Sequence, residues 1–461
     1  MSFSDLTFLF YFLPLFFAVY YLVPFRCKNA VLVLGSAAFY FLGAGARDAL
    51  LLGASILFHY GLARAMDGKA VRARKALLLF GLCADLFGLV YFKYAAFLLE
   101  NLGKLTGQTF SLVQLALPLG VSFYLFQSAG YLIDVYRGAR AERNLVDFST
   151  FVLAFPQLTM GPILRYDEWR GALKERTVAC GDVLLGFECF AVGLCFKVLL
   201  ADQLAPLWAS LERIGYGYLS APLAWLGAAS YSLQLYFDFS GYSLMAMGLG
   251  QMLGLRVPRN FDLPYTARSV SEFYRRWHIT LGTWFRDYLY IPLGGSRRGK
   301  ARTALALTVV WVFTGLWHGA SWNFVLWGVM LLAFILLEKF CIGSFLREHR
   351  LLSHLYLLFV IPQTWVVFRI TKLSDISAYF SRLFPFFGTH SAVSAQDALK
   401  LLSSCWWLLL LSVLFCLPQP RRFYEKHRGT LLIDLPLSVL FWVCVYFIAT
   451  SSGNAFLYSR F

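Results

Sequence analysis

The sequence predicts an all-helical fold that crosses a membrane many times. Of 461 residues, 59% are hydrophobic and only 14% are charged, and mean hydropathy is +0.63. Apolar runs close to the ~20 residues that span a hydrocarbon core recur from one end to the other. Soluble domains carry roughly 25% charged residues, so a water-facing surface cannot be built from this chain. The net charge of +16 would point to nucleic acid in a soluble protein. Here the basic residues gather in short loops between apolar runs, which is the pattern of cytoplasmic loops facing anionic lipid. Membrane lipid, and no nucleic acid, is the expected surrounding.

The runs come in order. Those of spanning length lie at roughly 6–24, 29–46, 48–65, 76–94, 113–133, 182–200, 221–238, 322–340, 352–370, 402–417 and 430–450. The first begins almost at once and lacks a basic leader, so it reads as a membrane helix and not as a removed signal peptide. Arg26 and Lys28, the cluster from Arg64 to Lys75, the group Arg137, Arg140 and Arg143, and the group from Arg421 to Arg428 follow four of the runs. Placing all of them in the cytoplasm agrees with alternate crossings and puts both termini outside. Shorter runs lie at 146–163, 240–255 and 303–317. Phe155-Pro-Gln-Leu-Thr-Met-Gly-Pro-Ile-Leu-Arg is too broken to span and reads as a re-entrant segment. Residues 256–302, basic, aromatic and punctuated by Pro264, Pro292, Gly294 and Gly295, read as short interfacial helices and loops on the cytoplasmic face. The nine cysteines are scattered without Cys-x-x-Cys or Cys/His spacing. They are expected to be buried small hydrophobes, with no metal site.

Two histidines stand out between the greasy segments. His318 ends an apolar run, where an ionisable group is costly and marks function by default. Imidazole takes and returns a proton near neutral pH, and burial favours its neutral, proton-accepting form. Gly315 and Gly319 flank it and are expected to let a ligand approach the backbone. His278, in Arg275-Arg-Trp-His278, has two readings: a ring packed on Trp277 or Trp284, or a second polar contact at the mouth of the same cavity. Arg275, Arg276, Arg286, Arg297 and Arg298 suit phosphate geometry, of coenzyme A or of lipid headgroups. Gln234 and Asp238 share a helix face at i and i+4. An acid there is either paired structurally or part of a binding site. With Arg275, Arg276, Trp277 and Trp317, they complete the candidate substrate-binding set.

Several strings resemble one family. Arg275-Arg-Trp-His-Ile, Trp284-Phe-Arg-Asp-Tyr-Leu-Tyr-Ile-Pro-Leu-Gly-Gly and Gly315-Leu-Trp-His-Gly-Ala-Ser-Trp are similar to motifs of the membrane-bound O-acyltransferases. So are Tyr236-Phe-Asp-Phe-Ser-Gly-Tyr and Phe155-Pro-Gln-Leu-x-x-Gly-Pro-Ile. The bacterial branch that serves alginate and peptidoglycan O-acetylation is the most similar. The resemblance implies a single integral domain over 1–461, divided into N-terminal helices 1–112, a catalytic core 113–340 and a C-terminal part 341–461. It implies a ring of about 11–13 helices around a central funnel, with re-entrant segments. It makes His318 the catalytic histidine and His278 the second motif histidine. The tail Phe456-Leu-Tyr458-Ser-Arg-Phe461 is similar to a motif whose tyrosine is proposed to carry the acyl group, so Tyr458 becomes a candidate relay. Acetyl-CoA is the implied donor, with no permanently bound cofactor. A hydrolase-like transferase outside the membrane is the implied partner, because no Gly-x-Ser-x-Gly elbow occurs in this chain. D-alanyl transfer to teichoic acid, or passive transport, are the competing readings.

Overall fold

The computed structural model describes residues 1–110, 116–384 and 394–450. Among them the regular elements are helices, and an isolated antiparallel bridge joins Phe261 to Trp277. In hydrocarbon the backbone has to satisfy its own hydrogen bonds, which a helix does within one segment. Seven helices among the described residues are long and apolar enough to cross a membrane: Phe25–Met66, Val71–Thr106, Cys180–Ile214, Trp322–Glu348, Arg350–Arg369, Gln396–Phe415 and Leu431–Thr450. The protein is a multi-pass membrane protein.

The difference from the eleven runs read in the sequence has local causes. Runs 29–46 and 48–65 form one element, Phe25–Met66, interrupted at Gly45 with φ 84°. That backbone angle suits glycine, which lacks a Cβ. Runs 221–238 and 240–255 merge into the single helix Ala221–Met252. The first run becomes a π turn, Phe8–Phe12, feeding the short helix Leu13–Leu22. The fifth run yields Val121–Tyr136, preceded by Gly120 at φ 71°.

Contacts gather the residues into two compact units, the first chiefly Met1–Phe190 and Tyr242–Pro258, the second chiefly Ala191–Gly241 and Arg259–Cys444. In the first unit a nine-residue helix, Leu145–Leu153, capped by the Asn144 side chain, leads into the stretch expected to be re-entrant, Phe155 to Arg165. That stretch is irregular and mostly buried chain. Its polar groups are met inside the protein: Phe155 N–H donates to Ser36 Oγ at 3.0 Å, and Gln157 Nε2 to the Phe151 carbonyl at 2.6 Å. Charge is handled the same way. Asp147 accepts from Asn29 and Lys174, and Lys174 also reaches Glu142 at 3.0 Å.

In the second unit the helices Lys300–His318 and Trp322–Leu337 approach closely through Gly315 and Gly328. A Cβ on Gly315 would lie 2.5 Å from the Phe324 carbonyl oxygen, and one on Gly328 would lie 2.6 Å from that of Trp311. The space beside Gly319 is filled by the Phe324 ring. These glycines therefore serve helix packing, in the manner of small-residue membrane interfaces. The expectation that Gly315 and Gly319 make room for a ligand is corrected, because a neighbouring helix occupies that room. Gly315→Ala is expected to lower thermal stability in detergent by about 1–3 kcal/mol through overpacking. Gly53→Ala, where a Cβ meets nothing within 4 Å, should leave the melting temperature unchanged. Equal melting temperatures for both variants would show that the close helix contact is not a constraint.

Candidate active site

The site is assembled by a short, tightly capped helix and the turn that follows it. Ser269 caps Val270–Arg276, its Oγ accepting from Glu272 N–H at 3.0 Å, and the Glu272 carboxylate accepts from Arg268 N–H at 3.0 Å. The Ser269 side chain closes an open donor of the first turn, and Glu272 reaches back to the residue before the cap. Glu338, buried just past Trp322–Leu337, accepts from the backbone N–H groups of Val270 and Ser271 and from Ser271 Oγ. A carboxylate there favours the positive end of the helix and ties it to the next membrane segment.

The helix stops at Trp277, and His278 turns left-handed with φ 47° and ψ 53°. A non-glycine residue holds that conformation only when its surroundings impose it. Here they do. Asp262 N–H donates to the Arg276 carbonyl at 2.9 Å and Ile279 N–H to the Asn260 carbonyl at 3.0 Å, so residues 260–262 run alongside the turn. His278 Nδ1 lies 3.2 Å from Asn260 Oδ1. Its Nε2 is buried and has no hydrogen-bond partner. Burial, reinforced by His318, pulls the His278 pKa well below 6.5 and keeps the ring neutral.

His318 is the last residue of Lys300–His318. Its Nδ1 lies 2.7 Å from the Thr314 carbonyl one turn back. A carbonyl can only accept, so Nδ1 carries the hydrogen and Nε2 carries the lone pair of the neutral ring. The negative end of the helix dipole favours the positive charge that a proton on Nε2 would create. Trp317, Trp327 and Phe368 surround the imidazole, at ring-centre distances of 4.9, 4.8 and 5.4 Å.

Both histidines line one cavity of ≈ 910 Å³. Arg268, Arg275, Arg286, Lys339 and Arg347 contribute to its wall, together with Tyr274, Trp277, Trp311 and Trp327. The cavity thus joins two imidazoles to a cationic, aromatic lining. Residues 75–353 match the model of the membrane-bound O-acyltransferase family. The chain belongs to this family. It is 39% identical to a probable alginate O-acetylase of Azotobacter vinelandii, over 92% of this chain and 86% of the relative. It is 40% identical to a probable alginate O-acetylase of Pseudomonas aeruginosa, over 84% of this chain and 75% of the relative. A peptidoglycan O-acetyltransferase of Helicobacter pylori is 30% identical over 100% of this chain and 98% of the relative.

The other residues singled out in the sequence of this O-acyltransferase fall in different places. Arg275 and Trp277 line the cavity with the histidines. Trp317 is packed behind them, its ring 6.1 Å from that of His278. Arg276 is turned to its own helix, with Glu272 at 2.6 Å and Thr266 Oγ1 at 2.9 Å. Gln234 and Asp238 are buried outside the cavity lining. Asp238 meets Lys197 Nζ at 2.7 Å, and the same ammonium lies 2.8 Å from Asp202. Tyr458, Phe456 and Phe461 lie outside the described residues.

Sequence reading missed Asn260 as a partner and Glu338 altogether. Glu338 carried a usable signal, an acid at the end of an apolar run. Asn260 carried none, because its role depends on a chain reversal 18 residues later. Asp238→Ala would leave Lys197 buried with one carboxylate, and removing a partner from such a set costs about 3–5 kcal/mol. The expected result is a lower melting temperature, with KM for the acyl donor unchanged in the folded fraction. A raised KM at unchanged stability would assign Asp238 to substrate binding instead.

Proposed function

We propose that this O-acyltransferase carries acetyl groups from cytoplasmic acetyl-CoA across the bacterial inner membrane for O-acetylation of an extracytoplasmic polysaccharide. Alginate-like exopolysaccharide and peptidoglycan are the two acceptor classes that the names of its relatives support. The observation that carries the reading is the pair of imidazoles, His278 and His318, on one cavity with arginines in its wall.

In the reaction, a hydroxyl oxygen attacks the thioester carbonyl carbon of acetyl-CoA. The hydroxyl proton passes to Nε2 of His318 as the C–O bond forms, and the C–S bond breaks. The proton then passes to the departing thiolate, so an alcohol and a thioester become an ester and a thiol. His278 supplies a second acceptor nitrogen at the same cavity. Arg275 and Arg286 suit the phosphates of the donor. The first hydroxyl acceptor in this scheme is Tyr458, with both termini outside. A hydrolase-like partner takes the acetyl group from it and completes transfer to the polysaccharide.

The test is envelope O-acetate released by mild base from cells with the partner genes present, at matched membrane abundance of each variant. His318→Ala is expected to lower it by about 100-fold or more, the range of a lost general base. Tyr458→Phe is expected to abolish transfer to the envelope. Loss with His318→Ala alone would keep the acyltransferase and discard the tail relay. Wild-type acetate in the His318 variant would overturn the catalytic assignment.

A further inference from the structure

We propose that Asn260 is a positioning residue that sets the tautomer and aim of His278, so that Nε2 is the proton-accepting nitrogen of its ring. The inference rests on the proposed role of the cavity in acyl transfer and adds a residue to it.

Asn260 Oδ1 accepts from the backbone N–H of Thr280 at 3.2 Å, and a backbone N–H cannot accept. This fixes which end of the amide faces the turn. Thr280 Oγ1 lies on the same oxygen at 3.0 Å. His278 Nδ1, 3.2 Å from that oxygen, must therefore be the protonated nitrogen. In a neutral ring the lone pair is left on Nε2, the buried atom without a partner. A fully buried asparagine thus orients one imidazole and the turn that carries it. The backbone takes part as well, because the Asn260 carbonyl holds Ile279 N–H at 3.0 Å while His278 sits at φ 47°. The other faces of the ring are covered by Phe239, at 4.8 Å between ring centres, and Trp317, at 6.1 Å. His318 is the titratable neighbour that bears on it.

The test compares Asn260→Ala, Asn260→Asp and His278→Ala in membranes that hold the full chain and its partner gene products. Release of CoA thiol from acetyl-CoA is followed from about pH 5 to about pH 9, the range in which histidines titrate. Asn260→Ala is expected to lose roughly 10–100-fold, as when an orienting partner of a functional histidine is removed. An aspartate keeps an acceptor oxygen at the same place and adds a negative charge, so Asn260→Asp should retain turnover at alkaline pH. That charge stabilises imidazolium and raises the folded pKa of His278. The proton-accepting form then exists only above the raised value and is lost as pH falls through it. The acid limb is therefore expected to move up by about one to three pH units.

A wild-type rate in Asn260→Ala, or an unmoved acid limb in Asn260→Asp, with His278→Ala inactive, would overturn the inference and leave the proposed function standing. Inactivity of both Asn260 variants at every pH, at wild-type abundance, would also overturn it. A wild-type rate in His278→Ala would remove the inference together with the role of His278. The His318→Ala measurement of envelope acetate would still decide the proposed function separately.

Discussion

A polar group that leaves water in this chain has to find its partner inside the protein, and most of the structure follows from that. Hydrocarbon offers no hydrogen bonds, so the backbone is helical almost wherever it is apolar. Where the helix is broken, at 154–165 and 256–302, the freed groups are met by side chains such as Ser36, Asn260 and Glu338. Buried charges obey the same rule, as in Lys197 between Asp202 and Asp238, or Lys174 between Glu142 and Asp147. Such sets are weak sources of net stability but expensive to break. They pin segments in place.

The same constraint shapes the chemistry. Each histidine gives its Nδ1–H to an oxygen that can only accept there: the Thr314 carbonyl for His318 and the Asn260 amide for His278. One partner comes from the preceding helical turn, the other from a separate strip of chain. Both leave Nε2 as the basic nitrogen. The cavity wall then combines aromatic rings, which exclude water, with arginines, which suit an anionic donor. His278 further depends on a left-handed turn, and its surroundings hold that turn from both sides. The strain sits at the site, as it commonly does where function requires a particular aim.

Much of this was legible in the residues. The all-helical membrane class followed from composition, because 14% charged residues cannot cover a soluble surface. His318 and His278 were visible as ionisable groups among apolar and aromatic neighbours, and the family was visible in the strings that surround them. The broken character of 146–163 was visible in its prolines and glycine. Spacing on a helix left Gln234 and Asp238 open between structural pairing and binding: i and i+4 put both on one face, but did not say that Lys197 would meet the carboxylate. Proximity in sequence misled at Arg276, which faces its own helix while Arg275 faces the cavity.

What the sequence determined by itself was local: which stretches must be helical and buried in lipid, and which side chains can move a proton. Hydropathy and residue chemistry are properties of short segments, so they survive without a fold. The tertiary structure decided everything that needs two distant segments at once. It brought Asn260 against His278, put Phe324 into the space beside Gly315, and set both histidines on one cavity. Hydrogen bonds and van der Waals contacts act over a few ångströms, so only the folded arrangement says which of the many possible partners is near enough to count.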